Sequence, residues 1–148
     1  MEKLEYRKAL ETDIEYLLWL RKITMDEHLI NSGVTLSDDD QLLRINYLFE
    51  QAKIITLKEK NIGLLKLDEQ ENKVEIVQIQ IDPKFQGKGF GQQIIKTVIK
   101  DSLAKDKEIF LSVLKENPAK ELYSRIGFKI IGEDDTSFMM VFNTQTSI

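Results

Sequence analysis

Gln86-Gly87-Lys88-Gly89-Phe90-Gly91 decides how this chain is read. It follows an apolar run that ends at Asp82-Pro83. It precedes a stretch from Gly89 to Ala104 in which Ile94, Ile95, Val98, Ile99 and Leu103 form one stripe at helical spacing. A glycine-rich turn between a strand and a helix lets successive backbone N–H groups converge, and the helix start adds unpaired donors with a partial positive charge. That combination favours an anion such as a pyrophosphate, and Lys88 adds charge to it. A tight turn joining two elements is the other reading of the same glycines. Two nucleotide motifs fail here. The dinucleotide fingerprint places Gly-x-Gly-x-x-Gly after a first strand, whereas these glycines stand at 87, 89 and 91 behind several strands. A Walker loop needs a Ser or Thr after its Gly-Lys, which Gly87-Lys88-Gly89 lacks.

Upstream, Val74, Ile76, Ile79 and Ile81 lie on a strand. Val74 and Ile76 share one face and Ile79 and Ile81 the other, which predicts a β-bulge near Val77 and Gln78. Ala52 to Leu57 and Ile62 to Leu67 read as a hairpin across the polar turn Glu59 to Asn61. Leu4 to Ala9 reads as a first strand. Thr12 with Glu15 predicts a capped helix that runs through Ile30 and ends at Asn31, Ser32 and Gly33. Ser37 or Asp38 caps a second helix carrying Leu42, Leu43, Ile45, Leu48 and Phe49. Downstream, Glu108 to Leu114 is a strand. Asn117-Pro118 then opens a helix with Asn as cap and Pro at the first helical position, and Gly127 stops it. Phe128 to Ile131 and Phe138 to Phe142 close the chain as strands around the loop Glu133 to Ser137, with residues 143–148 as a frayed tail. Strand-helix-strand passages require parallel neighbours and the hairpin requires antiparallel ones. The expected class is α/β (α+β), with a mixed, mostly antiparallel central sheet of about seven strands and four helices.

The 148 residues are 42% hydrophobic and 31% charged, which fits one domain over 1–148, without repeat or linker. There is no cysteine and a single histidine, His28, so a disulfide framework, a thiolate nucleophile, a Cys-ligated zinc and a multi-histidine site are excluded; no metal is expected. A net charge of -4 argues against a general phosphate-backbone binder, so nucleic acid is not the expected partner. No apolar run approaches the ~18 residues of a membrane span, and Met1 to Tyr6 lacks a secretory pattern. No membrane partner and a cytoplasmic location are therefore expected.

The glycine segment resembles motif A of the GNAT N-acetyltransferases, Gln/Arg-x-x-Gly-x-Gly/Ala, met by Gln86, Gly89 and Gly91. Val77 to Pro83 is similar to that family's fourth strand, and Leu111 to Phe128, L-S-V-L-K-E-N-P-A-K-E-L-Y-S-R-I-G-F, resembles its motif B. The two signatures stand in the family's order and cover most of the second half; the first half agrees by element order. The resemblance implies a single-domain GNAT fold splayed at strands 4 and 5, with acetyl-coenzyme A as co-substrate in the splay. It implies direct acetyl transfer to an amine through a ternary complex. By position, the backbone at Ile79, Gln80 and Ile81 would meet the pantetheine arm and acetyl carbonyl. Gln86, Gly87, Lys88, Gly89, Phe90, Gly91 and Gln92 would hold the pyrophosphate, and Asn117 would contact the cofactor. Tyr123 would do so as well, protonating the departing thiolate.

Direct attack of an amine on a thioester needs a neutral nucleophile, a polarised carbonyl and a protonated leaving group. It needs no covalent enzyme intermediate, which suits a chain without cysteine. Tyr123 also falls on a stripe with Leu122 and Ile126 that reads as core packing. Glu75 is the candidate base, directly or through a water, and its other reading is a solvated strand residue. Gln78 is a candidate substrate contact that could orient such a water. Met25 and His28, late in the first helix, are candidate substrate contacts too, although a lone histidine there also suits the helix dipole. Asp38-Asp39-Asp40 could attract a cationic amine or simply start a helix. The expected acceptor is a small-molecule amine. The alternatives are a protein N-terminal or lysine acetyltransferase and a non-catalytic acyl-CoA binding module. A homodimer through an edge strand or the closing hairpin stays open.

Overall fold

The computed structural model describes residues 3–31 and 37–142, the side chains of residues 25–31 apart. Seven strands form among them: β1 (Leu4–Lys8), β2 (Ala52–Leu57), β3 (Lys60–Glu69), β4 (Lys73–Ile81), β5 (Glu108–Leu114), β6 (Lys129–Glu133) and β7 (Ser137–Phe142). The helices are α1 (Ile14–Asn31), α2 (Asp38–Asn46), α3 (Phe90–Ala104) and α4 (Ala119–Ile126). The strands are hydrogen-bonded in the order β1-β2-β3-β4-β5-β7-β6. β4 and β5 are parallel, whereas β1–β2, β2–β3, β5–β7 and β6–β7 are antiparallel, so the sheet is mixed as expected. The β4–β5 ladder runs from Lys73↔Glu108 to Ile76↔Leu111, and both strands continue past it. The chain divides into two compact units, Met1–Leu67 with Gln78–Gln86 and Asp68–Val77 with Gly87–Ile148.

In the first unit, Ala9, Leu17, Leu20, Ile45, Ala52, Ile54 and Leu64 form a buried cluster fed by both early helices and by β2 and β3. The hairpin turns on Lys58 and Glu59, at φ 50° and 68°, a pair of left-handed residues whose twist suits the flanking strands. The turn therefore ends earlier than the polar stretch Glu59 to Asn61 suggests, and β3 already begins at Lys60. Thr12 is not the cap of the first helix. Glu11–Asp13 forms a 3-10 turn instead, and Asp13 accepts the Leu10 N–H at 2.8 Å and two Arg7 N–H groups at 2.8 and 2.9 Å. A carboxylate can bind an amide and a guanidinium together, which a threonine hydroxyl cannot. The second helix does start at Ser37, but it stops at Asn46, before Leu48 and Phe49. Leu48 turns to φ 51°, and the Lys66 ammonium, only 1% exposed, donates to the carbonyls of Arg44, Ile45 and Tyr47 at 3.2, 3.1 and 2.6 Å. Those bonds satisfy carbonyls that the helix end leaves open.

In the second unit, α3 buries Phe90, Ile94, Ile95, Val98 and Ser102. Ile99 and Leu103, expected on the same stripe, are half-buried. Each fully buried aliphatic side chain contributes about 2 kcal/mol by leaving water. On β5, Ile109, Leu111 and Val113 alternate into burial, and Met140, opposite Leu111 on β7, is buried too. The last helix starts one residue later than Asn117-Pro118 suggests, because Pro118 stands before Ala119 and the Asn117 Oδ1 accepts the Ala119 N–H at 2.9 Å. β6 runs to Glu133 rather than Ile131, with a register shift between Ile130 and Gly132. The predicted end of the first helix at Asn31 to Gly33 lies partly outside the described residues, and the predicted tail 143–148 lies wholly outside them.

Candidate functional site

The second unit gathers Glu75, Gly87 to Gln92, Asn117 and Tyr123. Gly87 and Gly89 sit at φ 75° and 85°, where a side chain is strained, yet a Cβ at either would meet nothing within 4 Å. Backbone conformation, not crowding, is what demands glycine there. Gly89 is the residue before α3, and the first helical bond runs from Gln93 N–H to the Gly89 carbonyl at 3.1 Å. The amides of Phe90, Gly91 and Gln92 thus precede the helical ladder. Gly87, Lys88, Gly89 and Gln92 are exposed, Gly91 is half-buried, and the Phe90 side chain is buried beneath them. This start carries no side-chain cap. Its geometry can offer an anion several N–H donors at the positive end of a 15-residue helix.

Tyr123 lies on α4, 6% exposed, with its ring 5.8 Å from that of Phe128, which in turn lies 5.6 Å from Phe142. Burial pushes its phenol up to about 12, so it keeps its proton at neutral pH. The ring is packed in the core, as one sequence reading expects, and its hydroxyl is protonated. Asn117, just before the same helix, already spends Oδ1 on the Ala119 amide. Glu75 pairs in register with Phe110 and is half-buried, between buried Val74 and Ile76 on its strand. Burial raises its pKa, Asp68 raises it further, and Lys73 opposes both.

The remaining strand positions, Gln78, Ile79, Gln80, Ile81 and Gln86, belong to the first unit. The Gln86 side-chain amide donates to the Ile81 carbonyl at 2.9 Å, tying the end of β4 to the 3-10 turn Pro83–Phe85 that follows it. Gln80, expected to act through its backbone, has a buried side chain, whereas Ile79 and Ile81 are half-buried. Gly63 lies against this stretch so closely that a Cβ on it would meet the Gln80 carbonyl oxygen at 2.3 Å. Tyr16, on the first turn of α1, escaped the sequence reading. Its hydroxyl is buried and unpaired, and burial together with the negative charge of Asp82 pushes it up to about 12. The only signal in the sequence was the polar alternation Gln78, Gln80, Asp82 within an apolar strand. The acidic run at α2 is accounted for by the helix start, since Asp40 closes a reciprocal box with Ser37 and Asp38 pairs with Lys22 at 2.7 Å. The side chains of Met25 and His28 lie outside the described residues.

Comparison with known proteins follows this geometry. The family model described as FR47-like protein matches residues 57–139, which include the glycine segment, Asn117 and Tyr123. A spermine/spermidine N(1)-acetyltransferase of Bacillus subtilis (strain 168) is 38% identical over 71 residues, 46% of this chain and 47% of that protein. The match therefore spans about half the length of that relative. Among solved structures, the PaiA N-acetyltransferase from Thermoplasma acidophilum in complex with coenzyme A superposes with a TM-score of 0.74 at 20% identity, covering 95% of this chain and 99% of that one. An acetyltransferase from Thermus thermophilus gives a TM-score of 0.76 at 18% identity, covering 96% and 99%. At these identities the structures speak for the fold.

Proposed function

Since the chain belongs to the FR47-like family, which is GNAT in type, we propose that it transfers the acetyl group of acetyl-coenzyme A directly to a primary amine of a small molecule. The observation that carries this reading is the uncapped, exposed start of α3 on two left-handed glycines. Gly87 to Gln92, with Gln86, hold the pyrophosphate through backbone N–H groups. The backbone of Ile79, Gln80 and Ile81 meets the pantetheine arm and acetyl carbonyl, and Asn117 contacts the same co-substrate.

Glu75 takes the proton of the attacking amine, directly or through a water, and its raised pKa suits a base because it binds a proton more readily. The amine nitrogen bonds to the acetyl carbon, the carbon–sulfur bond breaks, and Tyr123 presents its O–H to the sulfur that leaves. No residue becomes acylated. Cationic small amines, polyamines first among them, are the proposed acceptors, supported by the Bacillus subtilis relative and by a net charge of -4 that favours cations.

Isothermal titration of acetyl-coenzyme A, followed by a thiol-release assay with spermidine, tests the proposal. Tyr123→Phe is expected to lower kcat about a hundredfold while the acetyl-coenzyme A affinity stays the same. No heat with any acyl-coenzyme A would sink the reading.

A further inference from the structure

Among the described residues of the first unit, three buried oxygens have no hydrogen-bond partner: Tyr16 Oη, Gln78 Oε1 and Gln80 Oε1. An unpaired buried polar group costs about 1–3 kcal/mol, so a fold that keeps three of them in one unit is giving up stability. Gln80 is 4% exposed and Asp82 8% exposed. On a strand, side chains alternate, so Gln78 and Gln80 share a side, and Asp82 follows directly at the strand end. The Asp82 N–H donates to the Ile62 carbonyl at 2.8 Å and Gly63 lies against Gln80 and Ile81, so this end of β4 runs beside Ile62 to Leu64. Leu64 belongs to the cluster on which Tyr16 packs, and the Asp82 charge acts on the Tyr16 phenol as well. One Asp82 oxygen accepts the Lys84 N–H at 3.0 Å. The buried Lys66 ammonium of this unit is already held by three carbonyls.

The two glutamine oxygens are acceptors, the Tyr16 hydroxyl can accept as well as donate, and the Asp82 charge near them is negative. Such a set repels anions and suits a cation with several N–H donors. A primary ammonium has three donors on one nitrogen. The same acceptors would stabilise the protonated form of whatever amine they hold, which opposes nucleophilic attack by that nitrogen. A group bound here therefore keeps its proton and does not react.

We propose that Tyr16, Gln78, Gln80 and Asp82 form a recognition site for the non-reacting ammonium of an acceptor that carries at least two amines. This deepens the transferase reading and rests on it for the reaction, while the site itself stands on the buried acceptors. Gln80 then serves two ligand parts, its backbone the co-substrate and its side chain the acceptor.

The test compares putrescine with n-butylamine, which differ by the second ammonium, in the full-length protein and in Tyr16→Phe and Asp82→Asn. Tyr16→Phe deletes an unpaired polar atom with little change of volume, and Asp82→Asn keeps the oxygen that accepts the Lys84 N–H while removing the charge, so both variants are expected to fold. The KM for putrescine should rise about tenfold in each, the loss of one charge-assisted hydrogen bond, while the KM values for n-butylamine and acetyl-coenzyme A stay unchanged. An equal rise for both amines, or none, overturns the site. If neither amine is acetylated, the transferase reading fails separately, and titration of putrescine with and without coenzyme A decides the site. Heat that both variants weaken supports it; heat that they leave unchanged, or its absence, overturns it.

Discussion

The first turns of helices α2 and α3 are finished in opposite ways. At α2, Ser37 Oγ accepts the Asp40 N–H at 3.2 Å and Asp40 accepts the Ser37 N–H at 3.3 Å, so the helix satisfies its own donors. At α3 a glycine stands in the cap position with no side chain to offer, and the residues around it are exposed. One start is closed by its own sequence, and the other carries no side-chain cap. The difference separates a charge cluster that serves folding, Asp38-Asp39-Asp40, from a glycine cluster proposed to serve binding.

Gly89→Glu should produce the largest effect on this contrast. A Cβ there meets no protein atom, so the variant is expected to fold at a strain cost of about 1–2 kcal/mol while placing a negative charge among the donors. Acetyl-coenzyme A affinity should fall about a hundredfold or more by isothermal titration. Unchanged affinity would return the segment to a simple turn. Ser37→Ala makes the opposite change, costing about 1 kcal/mol of stability in urea unfolding and leaving acetyl-coenzyme A binding intact.

The smallest effect concerns the start of α1, closed by Asp13. Its carboxyl is held below the usual range chiefly by the hydrogen bond from Arg7, against an opposing burial penalty. A pKa that is lower folded than unfolded means that the unfolded chain binds the proton first as pH falls. The stabilisation is therefore present above the unfolded value near pH 4 and is lost as pH falls through the folded one. Arg7 is 41% exposed, so the contribution is under about 1 kcal/mol. Asp13→Asn should flatten that part of the stability-against-pH curve between neutral pH and pH 3, and an unaltered curve would remove Asp13 from the account.

Much of the fold was legible because the signals are local. Apolar spacing in α3, alternation in β5, the Ser37 box and the stop at Gly127 each depend on residues within a turn or two of one another. Two misplaced boundaries came where a side chain from another element intervened. Arg7 reaches Asp13 and displaces Thr12 as the cap, and Lys66 reaches back to carbonyls at residues 44, 45 and 47 and closes α2 before Leu48.

The site divides in the same manner. The sequence by itself determined the glycine turn ahead of an amphipathic helix, the tyrosine on the motif B helix and a chemistry without cysteine or a histidine cluster, since each is a matter of residue type and short spacing. Only the tertiary structure decided that the Tyr16 hydroxyl and the amide oxygens of Gln78 and Gln80 are buried without partners, and that Tyr123 and Glu75 have raised pKa values. Burial and orphaned hydrogen bonds are sums over neighbours more than 60 residues apart in the chain, as Tyr16 and Asp82 are, and no local pattern of apolar and polar residues encodes such a sum.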